Sequence, residues 1–346
     1  MINVGIVGLG FMAAAHLKAY KQVPEARIVA LCNPSGRHLD GDFTKVAGNL
    51  DTGDPLRLDM SSIAAYRSYE EMLANPEIDL IDICAPTSTH PSLVIDALRA
   101  GKHVICEKPL ARTSLLAAEI AREAAGAAGF FMPAMCLRFW PEFVWLKERV
   151  EEGSYGRVLS AGFRRVAEPP AWGQSHFHNG ALSGGALLDL HIHDTDFIQY
   201  CFGKPDRVYS SGYSRFSQAI DHVVTHYHFD SPVIVHAEGS WTMSPGFGFS
   251  MSYFANFERA TVDFNSSRGL EALRVYESGV PLKTITLGEP DGYVRELAYF
   301  LECIRLGKRP TIVTAEDALH SIEICEAEEE SVLTGKVVSV THSHPA

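Results

Sequence analysis

Three short stretches of this sequence carry side chains that can do chemistry. The first is Cys106-Glu107-Lys108-Pro109-Leu110, which follows an apolar run, His103 to Cys106, that reads as a buried strand. A lysine at the carboxyl end of a parallel strand points into the crevice where open α/β sheets bind ligands. The second is Gly8-Leu9-Gly10-Phe11-Met12-Ala13, a G-x-G-x-x-A pattern. Gly8 makes a tight turn, Gly10 lets a pyrophosphate approach the backbone, and Ala13 lets a helix pack on a strand. The helix that starts at Phe11 and Met12 then offers N–H groups to the phosphates. The third runs from Ser183-Gly184-Gly185 to Asp189-Leu190-His191-Ile192-His193. Asp189 and His193 lie one helical turn apart and share a face. Imidazole titrates near neutrality, which suits His193 to a general base. His191 points elsewhere, so a helical His-x-His is a poor metal pair.

The elements that must hold these residues follow from the hydrophobic pattern. Residues 2 to 7 form a strand-like run, and a helical pattern continues through Tyr20. A second strand spans Ala26 to Cys32. An Asp or Glu at its end would bind an adenosine ribose; here Asn33 follows, then Pro34-Ser35-Gly36-Arg37. Without the carboxylate, Ser35 and Arg37 can meet a 2′-phosphate, which tilts the cofactor toward NADP over NAD. Asn33 can still serve a ribose hydroxyl. Residues 38 to 62 read as a long polar connection. Further strands are expected at Ala65-Tyr66, Asp79 to Cys84, His103 to Cys106 and Phe130 to Ala134, with helices between. The turn after the fourth strand puts Pro86, Thr87 and His90 beside the cofactor crevice, and Pro91 opens a helix. Alternating β and α at this spacing is the doubly wound pattern.

After Ala134 the texture changes. Arg138-Phe139-Trp140-Pro141 leads into a helix, and strand-length segments fill Val208 to Leu287. His226 and His228 share a strand face, with His236 nearby, and read as polar residues on a sheet face or subunit interface rather than a metal site. Arg164 and Arg165 alternate in a strand, so only one can face a substrate. Val294 to Arg305 is an amphipathic helix, and Thr314 with Asp317 caps the next one. The acidic cluster on that helix (Glu323, Glu326, Glu328, Glu329, Glu330) reads as a solvated face.

The chain has 346 residues, long enough for two domains, expected at 1–134 and 135–346. A net charge of −12 argues against a nucleic-acid surface. No apolar run approaches a membrane span, and the first residues read as a strand rather than a signal peptide. Seven cysteines without a C-x-x-C pair suit a reducing cytoplasm.

In order and spacing, Gly8 to Ala13, Glu107-Lys108-Pro109, and Gly184-Gly185 through Asp189-x-x-x-His193 resemble the Gfo/Idh/MocA oxidoreductases, the glucose–fructose oxidoreductase and inositol dehydrogenase family. The resemblance runs from end to end of the chain. It departs at Asn33, where an acid is usual, at Ala13, and at His191, where many members have glycine. It implies an N-terminal Rossmann domain with a doubly wound parallel sheet, and an α+β second domain on a large, mostly antiparallel open sheet, used for a homodimer or homotetramer. It implies that Lys108, Asp189 and His193 act near a nicotinamide on a secondary alcohol of a sugar, cyclitol or polyol, without a metal. Lys108 would hydrogen-bond the reacting oxygen, and Glu107 would brace Lys108 or the cofactor loop. Arg138, Trp140, Arg164, Trp172, His176, His178 and His191 are the candidates to bind substrate. Two alternatives share these motifs: a tightly bound cofactor that cycles during elimination, epimerisation or glycoside cleavage, and a non-catalytic NAD(P)-binding sensor.

Overall fold

The protein is described from a computed structural model covering residues 1–46, 48 and 55–340. The chain forms two compact units, Met1–Phe139 with Pro290–Leu319, and Trp140–Glu289 with His320–Ala346. The return of Pro290–Leu319 to the first unit differs from the linear division expected at residue 134.

In the first unit, β1 (Ile2–Val7), β2 (Ala26–Cys32), β3 (Ala64–Tyr66), β4 (Leu80–Ile83), β5 (His103–Glu107) and β6 (Phe131–Ala134) form one sheet ordered β3-β2-β1-β4-β5-β6. Every pairing is parallel. Parallel strands bury both faces and so read as unbroken apolar runs; Val4, Ile6, Ile81, Ile83, Val104 and Ile105 are all fully buried. Helices α1 (Phe11–Tyr20), α2 (Tyr69–Leu73), α3 (His90–Arg99) and α4 (Ser114–Gly126) connect them. The order reverses between β1 and β4, which opens the ligand crevice beyond their carboxyl ends. In the long connection after β2, Asp42 bridges Arg57; residues 47 and 49–54 of it lie outside the described residues.

The second unit begins with α5 (Pro141–Glu152) and β7 (Val158–Ala167), then two single turns, α6 (Gln174–Phe177) and α7 (Gly180–Ser183), and helix α8 (Ile192–Phe202). Strands β8 (Arg207–Tyr213), β9 (His222–His228), β10 (Ile234–Ser240), β11 (Phe249–Phe257), β12 (Ala260–Asn265), β13 (Leu273–Glu277) and β14 (Lys283–Ile285) follow. Helix α9 (Gly292–Leu306) belongs to the first unit; α10 (Ala315–Thr334) and β15 (Val338–Ser339) close the chain. The nine-stranded sheet runs β14-β13-β12-β11-β7-β10-β9-β8-β15. Only β7 and β10 pair parallel; the other neighbours are antiparallel. Its inner face packs Phe163, Tyr253 and Phe264 against Phe143 of α5 and Phe197 of α8, with rings edge-on in several pairs. On the opposite face His226, His236 and Phe254 crowd over Gly162, where a Cβ would fall 2.4 Å from Phe254.

Helix α10 opens with the expected reciprocal cap: Thr314 Oγ1 accepts from Asp317 N (3.1 Å), and Asp317 Oδ2 accepts from Thr314 N (2.8 Å). Its acidic cluster is only partly solvated: Glu330 is exposed and Glu326 and Glu329 are half-buried. Glu323 and Glu328 are buried, Glu323 against Lys204 and Glu328 against Thr195. A buried carboxylate persists only when paired, and these partners come from α8 and the turn after it. Among the described residues, no helix is long and apolar enough to cross a membrane.

Candidate active site

The first unit carries a cradle for a dinucleotide. Gly8 sits in the left-handed region (φ +82°), and a Cβ there would lie 2.5 Å from the Ala85 backbone, so the turns after β1 and β4 touch. Its N–H donates to Cys32 O (3.0 Å). A Cβ on Gly10 would meet nothing within 4 Å, and no side chain caps α1 at that position. The helix start is thus left open to an anion, with Phe11 and Met12 partly exposed beside it and Ala13 buried. These residues fit a bound pyrophosphate. Asn33 is committed to its own loop: Oδ1 accepts from Ser35 N (3.2 Å) and Ser35 Oγ (2.9 Å), and Nδ2 donates to Arg37 O (3.0 Å). The Arg37 side chain is exposed, and so is that of Arg67, whose guanidinium lies against Gly36. Arg67 was not singled out from sequence, because only the β2–β3 pairing brings it to this loop.

Pro86 opens a single turn, Thr87–Thr89, in which Thr87 is buried. His90 is buried too, with Nε2 2.8 Å from Ala85 O and Nδ1 2.9 Å from Pro109 O. Both ring nitrogens are spent on the protein, which corrects the expected cofactor contact. His90 bolts the β4 turn to the Lys108 loop. Burial lowers its pKa, against the pull of the two carbonyls.

Below that loop lies a buried ionic chain. Glu107 Oε2 accepts from Lys108 N (3.1 Å), and Oε1 is 3.1 Å from His16 Nε2. His16 Nδ1 is 2.9 Å from Asp82 Oδ2, and Cys84 Sγ donates to Asp82 Oδ1 (3.4 Å). His16 and Asp82 are wholly buried, and Glu107 nearly so. Burial lowers the His16 pKa most strongly of any single cause, but Asp82 and Cys84 together raise it, and the net result is well above the usual histidine value. His16 and Asp82 were missed from sequence. The signal was Asp82 inside the apolar run Leu80-Ile81-Asp82-Ile83, since a charge in a buried strand requires a partner.

In the second unit Asp189 lies in a π-helical turn, Leu187–His191, that runs directly into α8, which carries His193. Such turns widen a helix locally and recur at functional sites. Both side chains are partly exposed. Asp194, the next residue, is gripped by Arg165 through two bonds, Nε–Oδ2 (2.9 Å) and Nη2–Oδ1 (3.2 Å), with both side chains buried. The expected substrate role of Arg164 is therefore corrected. Arg164 lies on the face of the sheet away from α8 and pairs with Glu238 (2.9 Å), while Arg165 supports the helix. His191 is also corrected. It is fully buried, Nε2 is 3.1 Å from Tyr227 OH, and its ring fills the space left by Gly239. Arg138, in the first unit, is buried and donates to Ile312 O (2.7 Å) beside Asp317 (3.3 Å), so it braces the chain rather than lining a pocket.

Trp172, His176 and His178 are half-buried in and around α6, close to the π-turn. Trp172 and His176 stand edge-on to Phe177, which packs on Trp241, while His178 stacks on Phe216. Trp241, Ala186 and Leu190 share one core, so this aromatic group borders the helix that carries Asp189. Trp140 is partly buried at the N-cap of α5. The loop between β8 and β9 is tied by Asp221, whose carboxylate accepts from Arg215 N, Phe216 N, Ser217 N and Trp241 Nε1.

Residues 2–134 match a family described as "Oxidoreductase family, NAD-binding Rossmann fold", and residues 143–262 match the GFO/IDH/MocA C-terminal domain. The chain belongs to the Gfo/Idh/MocA oxidoreductases. It is 28% identical to scyllo-inositol 2-dehydrogenase (NAD(+)) of Bacillus subtilis over 98% of this chain and 96% of that protein. It is 26% identical to myo-inositol 2-dehydrogenase of Thermotoga maritima, over 96% of each. In fold it is similar to levoglucosan dehydrogenase in complex with NADH and levoglucosan, with a TM-score of 0.83, 23% identity, and 98% and 99% of the two chains covered. The tilt toward NADP gains no support from these relatives, of which the first carries NAD(+) in its name.

Proposed function

We propose that this oxidoreductase oxidises a secondary alcohol of a cyclitol or sugar, reversibly, with NAD as the working cofactor. The observation that carries the reading is the anion cradle at Gly8 and Gly10, with Lys108 held two strands away at the carboxyl end of the same sheet. Gly8, Gly10 and the start of α1 would hold NAD, which would supply the hydride acceptor. The chain's residues manage the proton and the charge. His193 takes the hydroxyl proton as general base, and Asp189 orients the imidazole or a neighbouring hydroxyl. Lys108 donates a hydrogen bond to the alcohol oxygen and favours its alkoxide-like transition state. The product is the ketone, and in reverse His193 returns the proton. Trp172, His176 and His178 are assigned to the sugar face, since aromatic and polar groups together suit a polyhydroxylated ligand. The relatives named for inositol support this substrate class. Self-association is assigned to the outer face of the nine-stranded sheet, where Tyr209, Ile234, Phe254 and Tyr276 are exposed.

The test is a titration of purified protein with NADH and NADPH separately, followed by turnover of scyllo- and myo-inositol. Saturable NADH binding and conversion to the ketone are expected. Binding of neither cofactor by folded protein would overturn the reading.

A further inference from the structure

The ionic chain below Lys108 has no assigned part in the reaction, and its geometry is specific. Each nitrogen of His16 faces a carboxylate oxygen, Asp82 at 2.9 Å and Glu107 at 3.1 Å. Two flanking carboxylates favour the cationic imidazole, which hydrogen-bonds Asp82 through Nδ1 and faces Glu107 as an ion pair through Nε2. Asp82 accepts from His16 and Cys84; Glu107 accepts from the backbone N–H of Lys108 and meets His16 Nε2 at 3.1 Å as an ion pair, out of line for a hydrogen bond. His16, Asp82 and Cys84 also bring possible ligating atoms within 4.8 Å of one another. Their direct contacts leave no gap between them, so the group reads as donors and acceptors rather than as ligands around an ion. Tyr20, Cys84 and Tyr293 are the other titratable groups around the imidazole.

The chain links three elements at the point where the reaction is proposed to occur. Asp82 is in the strand that borders the crevice, His16 is in the helix whose start receives the phosphates, and Glu107 ends the strand that presents Lys108. We propose that His16 is a positioning residue: through Glu107 it fixes the backbone of Lys108 relative to the phosphate-binding helix, and so sets the reach of the lysine ammonium. This rests on the role given to Lys108 above. The hydrogen bonds of Asp82 to His16 and of Glu107 to the Lys108 N–H, joined by the His16–Glu107 ion pair in a dry interior, hold position where apolar packing would allow drift. A displacement of about 1 Å at a reacting group can cost on the order of 100-fold in rate.

The test compares His16→Gln with wild type. Gln fills part of the space but offers a donor to only one carboxylate. The expected result is a folded protein that binds NADH within about twofold of wild type, while kcat for scyllo-inositol falls by up to about 100-fold with little change in KM. Lys108→Met in the His16→Gln background should cost no more than Lys108→Met alone, because His16 acts through Lys108. A readout independent of turnover is the NMR signal of ¹³C-methylated Lys108, identified by its loss in Lys108→Arg. This signal should shift in His16→Gln while that of Lys102 stays put. If His16→Gln does not fold, Glu107→Gln serves for the same measurements, since it keeps the shape and removes the charge. An unmoved Lys108 signal, or costs of His16→Gln and Lys108→Met that simply add, would overturn the inference. Failure of the functional reading looks different: Lys108→Met would then turn over scyllo-inositol no more slowly than wild type, or wild type would not turn it over, with the Lys108 signal still dependent on His16.

Discussion

Two fully buried histidines lie under the two stretches assigned to chemistry, and they are held in opposite ways. His16, near Lys108, has a carboxylate facing each nitrogen, hydrogen-bonded at Asp82 and in ion-pair contact without a hydrogen bond at Glu107. His191, in the turn that precedes His193, meets a Tyr227 hydroxyl at 3.1 Å and a Glu328 oxygen at 3.4 Å on the same nitrogen, while Nδ1 lies against Gly239 without a hydrogen-bond partner. The first is clamped from both sides along a line that ends at the Lys108 backbone. The second fills a volume. Burial is equal in the two, so burial by itself does not tell a histidine that transmits position from one that packs. The partners on each nitrogen do.

The largest effect should come from the partly exposed residue two places after the packing histidine. His193→Asn is expected to lower kcat/KM for scyllo-inositol by about 10²–10⁴-fold, the usual worth of a general base, with an unchanged melting temperature. Steady-state kinetics beside a thermal melt checks both halves. An active His193→Asn would shift the chemistry in this comparison to the Lys108 side alone.

Next is the support of α8. Asp194→Ala strands Arg165 as a buried unpaired charge and should cost about 3–5 kcal/mol in urea unfolding. Asp194→Asn, which keeps one acceptor for Arg165, should lose less. His191→Gln tests the contrast itself. It is expected to cost about 1–3 kcal/mol of stability, the price of disturbing a buried hydrogen-bonded group, with kcat per folded molecule retained. A loss of kcat as large as that of His16→Gln would erase the distinction between the two histidines.

The smallest effect is a slope. His16 has a raised pKa in the folded state, so its contribution is complete below the ordinary histidine value of 6.5 and is lost as the pH climbs through the raised value. His90 has a lowered one, so its contribution is complete above 6.5 and fades as the pH falls toward that lower value. Urea unfolding from about pH 5 to about pH 9 should therefore show stability rising on the acid side and falling on the alkaline side. His16→Gln should flatten the alkaline limb and His90→Asn the acid limb. Identical profiles for the two variants would mean that carboxylates and carbonyls act alike on these buried rings.

Much of the site's frame was readable along the chain. Gly8, Gly10 and Ala13 announce their turn because each has a backbone or packing reason to be small, and the Thr314–Asp317 cap is a contact three residues apart. The errors fall on side chains whose partners are distant in sequence. Arg164 and Arg165 alternate, but which of them faces α8 was settled by sheet register, and the register gave that place to Arg165. Arg138 looked available for a substrate until the stretch around Ile312 returned to cover it.

The sequence by itself determined most of the strands and helices, the glycine turn and the elements that carry Lys108 and His193; it read Asp189 as α-helical, where the structure has a π-helical turn. These depend on hydrophobic period, backbone sterics and caps, all of which act within a few residues. Only the tertiary structure decided which charged groups are buried and with whom: His16 between Asp82 and Glu107, Glu328 beside Thr195 and His191, Glu323 with Lys204. A charge leaves water only where an opposite charge or a donor waits for it, and that partner is supplied by an element tens of residues away, as the separations of 66 between His16 and Asp82 and 133 between Thr195 and Glu328 show.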